Sequence, residues 1–151
     1  MENKLRPISL IPMEEDESLY AVAYRLSQIE GYTDNMIRIM QDSADLGDAR
    51  ALYALATWYY SGEKRRKNFT KAIDLLKKAA VQGIAEAFFD LAIGYERGKG
   101  LTKNKYKAFQ YYCIALSLGY SPSEKEIIRC CYYGIGTVRN NIIRMAFKKI
   151  Q

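Results

Sequence analysis

Three cysteines, a run of carboxylates and a glycine-lysine-glycine loop are the places in this chain where residue type and spacing could support chemistry. Each falls short of a catalytic set. The sequence has no histidine, which removes the commonest general base, the commonest zinc ligand and every Ser-His or Cys-His nucleophile. Cys113, Cys130 and Cys131 are odd in number, and the adjacent pair is poorly placed to bridge. They read as free thiols that pack like small apolar side chains in a reducing compartment. Gly98-Lys99-Gly100 lacks the order of a phosphate-binding loop. The acidic run from Glu14 to Glu17 suits a helix start, because consecutive helical residues point in different directions. No cofactor or metal is expected. The chemistry that remains is recognition.

The elements that would position recognising side chains follow from a repeat. Ala51, Leu55, Ala56, Tyr59 and Gly62 recur 36 residues later as Ala87, Leu91, Ala92, Tyr95 and Gly98. Asn68, Lys71, Ala72, Ala79 and Gly83 recur as Asn104, Lys107, Ala108, Ala115 and Gly119. Self-similarity at this period marks stacked helical pairs. The sequence therefore predicts an all-α solenoid of antiparallel helix pairs with about three to four repeats.

The repeat at 48–83 and the repeat at 84–119 are complete. A degenerate opening repeat is expected over 14–47. Leu19, Val22, Ala23, Leu26 and Ile29 form one helical face, Thr33 or Asp34 caps the next helix, and Met36, Ile37, Met40 and Ala44 are its core side. A closing repeat is expected over 120–151, with Ser121 as cap, Pro122 at the first helical position, Glu124 returning a bond to the cap, and a last helix burying Ile142, Met145 and Ala146. Residues 1–13, with Pro7 and Pro12 among apolar side chains, read as an extended arm beside the single domain 14–151.

Alanine pairs, the stretch Leu91-Ala-Ile-Gly-Tyr95-Glu-Arg-Gly98-Lys-Gly100-Leu101 and the following Asn104-Lys-Tyr-Lys-Ala108 resemble the Sel-one-like repeats, relatives of the tetratricopeptide repeats. The resemblance covers 49–119 strongly and 14–48 and 120–150 more weakly. Lys64 departs from it where Gly100 and Gly136 supply a loop glycine. It implies a right-handed solenoid without enzymatic activity, serving as a protein-interaction scaffold or adaptor. It also implies that a stand-alone bacterial member can be an immunity protein that neutralises a toxin.

First helices generally line the concave side of such solenoids. Positions that vary while the framework recurs are therefore the candidate partner-binding set: Tyr53, Thr57, Trp58, Tyr60, Phe89, Asp90, Ile93, Glu96, Arg97, Arg129 and Tyr132. Tyr59, Tyr95, Tyr111 and Tyr112 are assigned to packing between helices.

Charge adds a second candidate surface. Residues 1–48 carry 10 acidic and 4 basic side chains, and the rest carry 7 and 19. Lys64 to Lys67, Lys71, Arg97, Lys99, Lys103, Lys105, Lys107, Arg139 and Arg144 would form a basic ridge along one edge. Nucleic acid could use that ridge, though no nucleic-acid motif accompanies it. No apolar run is long enough for a membrane span, and no basic-then-apolar leader opens the sequence, so a cytoplasmic location is expected. The protein partner expected on the concave surface is a toxin domain, with a signalling protein as the alternative.

Overall fold

A computed structural model of the chain describes residues 18–29, 31 and 33–140. Within them seven helices follow one another: α1 (Leu19–Ile29), α2 (Asp34–Asp45), α3 (Ala49–Ser61), α4 (Phe69–Val81), α5 (Ala85–Arg97), α6 (Lys105–Ser117) and α7 (Pro122–Tyr133). The most extensive packing joins α3 to α4 and α5 to α6, and each pair leans on the next through α4 against α5 and α6 against α7. The result is an α-solenoid. The N-terminal arm and the last helix expected from the sequence lie outside the described residues.

Helix starts follow from side chains able to accept a free amide. Thr33 caps α2, accepting from the Met36 amide, and Asp48 Oδ1 caps α3 with two acceptances of 2.9 Å. Asn68 accepts from the Lys71 amide at 3.0 Å and Asn104 from the Lys107 amide at 2.9 Å, so the expected asparagine caps are present in both complete repeats. Ser121 differs from expectation. It already has helical dihedrals, and its hydroxyl makes no capping bond. Pro122 does occupy the start of α7, and backbone bonds from Ser123 to the Tyr120 carbonyl and from Glu124 to the Ser121 carbonyl secure that turn instead.

The period is written into the backbone as well. The amides of Asn68, Asn104 and Asn140 donate to the carbonyls of Tyr59, Tyr95 and Cys131 at 2.9, 2.8 and 2.9 Å. The amides of Asp48, Ile84 and Tyr120 donate to Ser43, Ala79 and Ala115. Each series advances by the same interval, so α7 continues the architecture although its side chains have drifted. Two glycines hold repeats together by what they lack. Gly100 has φ +71, and a Cβ there would lie 2.9 Å from the Phe69 carbonyl oxygen; at Gly136 a Cβ would overlap the Lys105 carbonyl. Glycine is needed where the loop of one repeat crosses the second-helix start of the one before it.

The core has two parts. The larger runs through α1 to α5 and includes Ala23 from α1, Met36, Ile39 and Met40, Leu55, Ile73, Leu76 and Leu91. Ile29, expected on the buried face of α1, is 72% exposed because it ends the helix. The smaller part consists of Ala92, Ala108, Tyr112 and Cys130, with Phe89, Ile93 and Ile127 packed against it.

Candidate functional site

First helices α3, α5 and α7 line two adjoining cavities. The first, of about 390 Å³, lies between α3 and α5; Tyr53, Ala56, Thr57, Tyr60 and Ser61 face Asp90, Ile93 and Arg97, with Leu76 of α4 beneath. Helical spacing explains the lining, because residues 53, 57 and 60 share one stripe of α3 and residues 86, 90, 93 and 97 share one stripe of α5. The Tyr53 hydroxyl faces Asp90 and interacts with its carboxylate. Burial raises the Asp90 carboxyl to about 6; the Tyr53 hydroxyl opposes that rise and the Glu86 carboxylate adds to it. Burial, followed by the Asp90 charge, raises Tyr53 well above the ordinary phenol range. The Tyr60 ring stands edge-on to Phe69 at 5.1 Å, and its hydroxyl oxygen, out of contact with water, has no hydrogen-bond partner. Thr57 spends its hydroxyl within α3, on the Ala54 carbonyl at 2.7 Å.

The second cavity, of about 280 Å³, shares Ile93 and Arg97 with the first and adds Phe89, Glu96, Tyr112, Glu126 and Arg129. Here polar groups are matched. Arg129 Nη2 donates to both oxygens of Glu96, at 2.9 and 2.7 Å, and Arg129 Nε donates to Glu126 at 2.7 Å. The Tyr112 hydroxyl donates to Glu96 at 3.0 Å. Burial alone would raise the Glu96 carboxyl, but the bonds from Arg129 and Tyr112 outweigh it and the net shift is downward. Phe89 packs its ring against Tyr112 at 5.4 Å and Tyr120 at 5.1 Å. Together the cavities form one concave groove, half aromatic and half ionic.

Nine of the eleven sequence-derived candidates thus line the groove: Tyr53, Thr57, Tyr60, Asp90, Ile93 and Arg97 the first cavity, and Phe89, Glu96 and Arg129 the second. Trp58 does not. It is 7% exposed and belongs to the main core, on the Ala51-Leu55-Trp58 stripe of α3. Gly94 and Cys130, at the same place in the later repeats, are buried too. Variation in residue type at this position marks a change in how the core is filled, so Trp58 is withdrawn from the partner-binding set. Tyr132 also lies away from both cavities, paired edge-on with Tyr133 at 4.8 Å, and its carbonyl accepts from Arg139. Glu126 and Tyr120 were missed. Glu126 sits three residues before Arg129, a spacing that could have revealed it; Tyr120 follows the helix-ending Gly119, where no helical pattern reaches.

The basic ridge is partly used internally. The Lys71 ammonium lies 4.6 Å from the centre of the Tyr59 ring, and Lys107 repeats this over Tyr95 at 5.6 Å. Lys67 and Lys99 both stand over Phe69. These cations support the aromatic residues that space the helices. Arg144 lies outside the described residues. The three cysteines are free, and burial pushes Cys130 up to about 11 and raises Cys113. Such thiols are poor nucleophiles at neutral pH. Among the described residues no cluster of histidine, cysteine or carboxylate side chains is placed to hold a metal ion, and no helix is long and apolar enough to cross a membrane.

A family model for the Sel1 repeat matches residues 49–84, 85–120 and 129–148. No curated protein sequence matches the chain. Among solved structures, a Sel1 repeat protein from Oxalobacter formigenes superposes with a TM-score of 0.71 at 25% identity, over 81% of this chain and 51% of that one. The protein c5321, a protective antigen present in uropathogenic Escherichia coli strains and displaying an SLR fold, superposes with a TM-score of 0.75 at 23% identity, over 83% of this chain and 27% of its own. Helicobacter pylori cysteine rich protein B gives a TM-score of 0.62 at 19% identity, over 69% and 79% of the two chains. The present chain thus spans about half of the first of these proteins and about a quarter of the second.

Proposed function

The chain belongs to the Sel1 repeat family, whose members are generally protein-interaction scaffolds, and from that premise we propose that it holds a protein partner in the concave groove of α3, α5 and α7. One observation carries this reading. Side chains that differ from repeat to repeat converge on two adjoining cavities, while the recurring side chains are consumed in the stack. Aromatic walls and a bidentate arginine are the usual materials of interface anchors. Binding without turnover fits the buried, weakly acidic Cys130 thiol. The finer reading is a bacterial toxin domain as the partner, which this chain neutralises by covering it; a signalling protein is the alternative. Carboxylates in the groove of an otherwise basic chain favour a partner that presents a basic patch. The free cysteines fit a cytoplasmic site of action.

Affinity capture from the native cell, with identification of the bound protein, tests this directly. Thr57→Trp, which fills the first cavity, should abolish capture, while joint replacement of Lys64, Arg65, Arg66 and Lys67 by alanine should leave it within a few fold. The reverse pattern, with steep salt dependence, would mean that the ridge is the interface.

A further inference from the structure

The two cavities are images of each other at the repeat interval, and their difference identifies what the first one lacks. Tyr60, Asp90 and Ile93 in the first correspond, 36 residues on, to Glu96, Glu126 and Arg129 in the second. In the second cavity the Arg129 guanidinium lies between Glu96 and Glu126, donating to each at 2.7 Å. In the first, Ile93 takes the arginine's place and offers no donor. Neither flanking group has a counterpart to Arg129. The Tyr60 hydroxyl has no hydrogen-bond partner, and among the described residues no basic group lies within ion-pair distance of Asp90. The groups acting on Asp90 are Tyr53 and Glu86, neither of which is a cation. Arg97 lines the same cavity and its charge reaches Tyr60, but it makes no ion pair with Asp90.

The geometry points to an arginine of the partner entering the first cavity, its guanidinium beside Asp90 and Tyr60 as that of Arg129 stands beside Glu126 and Glu96. This rests on the groove being the partner surface. The carboxylate has acceptor sites to spare beyond the one that faces Tyr53. Tyr53 and Tyr60 line the cavity, and a planar guanidinium stacks on a phenol ring better than an ammonium does. A cavity of about 390 Å³ has room for the side chain. A partly buried carboxylate with no cation beside it is costly to keep, and an arriving cation offsets that cost.

The probe is the peptide acetyl-Gly-Ser-Arg-Ser-Gly-amide, titrated into isotope-labelled protein and compared with the same peptide carrying citrulline, which keeps the shape and loses the charge. The arginine peptide should shift the resonances of Asp90, Tyr53 and Tyr60 and bind roughly tenfold or more tightly than the citrulline peptide. Asp90→Asn, which keeps an acceptor for Tyr53, should remove that preference. Ile93→Arg copies Arg129 into the first cavity; it should abolish peptide binding and make the Asp90 carboxyl titrate at lower pH than in the parent. Equal affinity for the two peptides, undiminished binding by Asp90→Asn, or no shift at these residues up to the peptide's solubility limit would overturn the assignment. With a captured protein partner in hand, the two readings separate. Loss of capture by Thr57→Trp but not by Asp90→Asn sinks the arginine and leaves the groove, whereas capture that survives Thr57→Trp sinks both.

Discussion

Asp90 keeps a charge that the fold would be more stable without. Each tenfold difference in proton affinity is worth about 1.4 kcal/mol. A carboxyl raised by burial to about 6 therefore destabilises the folded chain at neutral pH by on the order of 2–3 kcal/mol. The sign follows from proton binding. Between pH 4 and 6 the folded state holds the proton more tightly than the unfolded state, so the destabilisation is absent below about pH 4, grows as pH rises and is complete above about 6. Asp90→Asn should accordingly raise the Tm at pH 7.5 by several degrees, and the gain should close as the pH is lowered towards 4. A thermal melt series checks it, and a variant less stable than its parent at pH 7.5 would assign Asp90 a structural role. The groups facing Asp90 are Tyr53 from α3 and Glu86 from α5, with Tyr120 and Tyr60 close enough to feel its charge. Burial raises both phenols, away from neutrality, so Asp90 dominates the titration of this cavity near pH 6. Its place on the concave stripe was legible from helical spacing, whereas its lack of a cation depended on what α3 brings opposite. Trp58 shows the converse. Its register with Gly94 and Cys130 was visible in the sequence, but their shared burial requires the stack.

Helices are where the sequence was most transparent, because caps and stops act within one turn. Asn68 and Asn104 make the same bond to the amide three residues on, and replacing either by alanine should cost about 1 kcal/mol in denaturant unfolding. Equal costs at the two sites are expected from equal geometry, and a cost near zero at one would show that its helix start is held by packing instead. The loop glycines are a sterner case. Gly136→Ala should cost on the order of 2–3 kcal/mol, since the added carbon meets the backbone of α6, which cannot swing aside as a side chain could. Ser121 was misread for a local reason. Ser121 takes helical dihedrals although a following proline disfavours them, the turn is closed by backbone bonds to the Tyr120 and Ser121 carbonyls, and its hydroxyl makes no capping bond.

At the scale of the molecule, a stack in which each pair touches only its neighbours has stability that varies along its length. The main core spans α1 to α5, while the second is built from two alanines, a tyrosine and a cysteine. Amide hydrogen exchange should therefore be slowest in α3 and α4 and faster in α7. Uniform exchange along the described helices would mean that the two cores open as one. The solenoid and its period were legible because repetition averages over local noise. The groove's two compartments were not, because each needs the side chains of two first helices and the helix beneath, brought together across one repeat length.

The shared wall of Ile93 and Arg97 turns the two cavities into a ruler. Neighbouring helices pack roughly 10 Å apart, and an extended strand advances about 3.3 Å per residue. A partner segment lying across α3, α5 and α7 would thus advance by about three residues between compartments, and because its side chains alternate faces, the two that enter would stand two or four positions apart. The first compartment would ask for a positive charge, while the second, with its arginine already in place, would reject one, so the protein would recognise a spacing of charges along its partner as well as the charge itself.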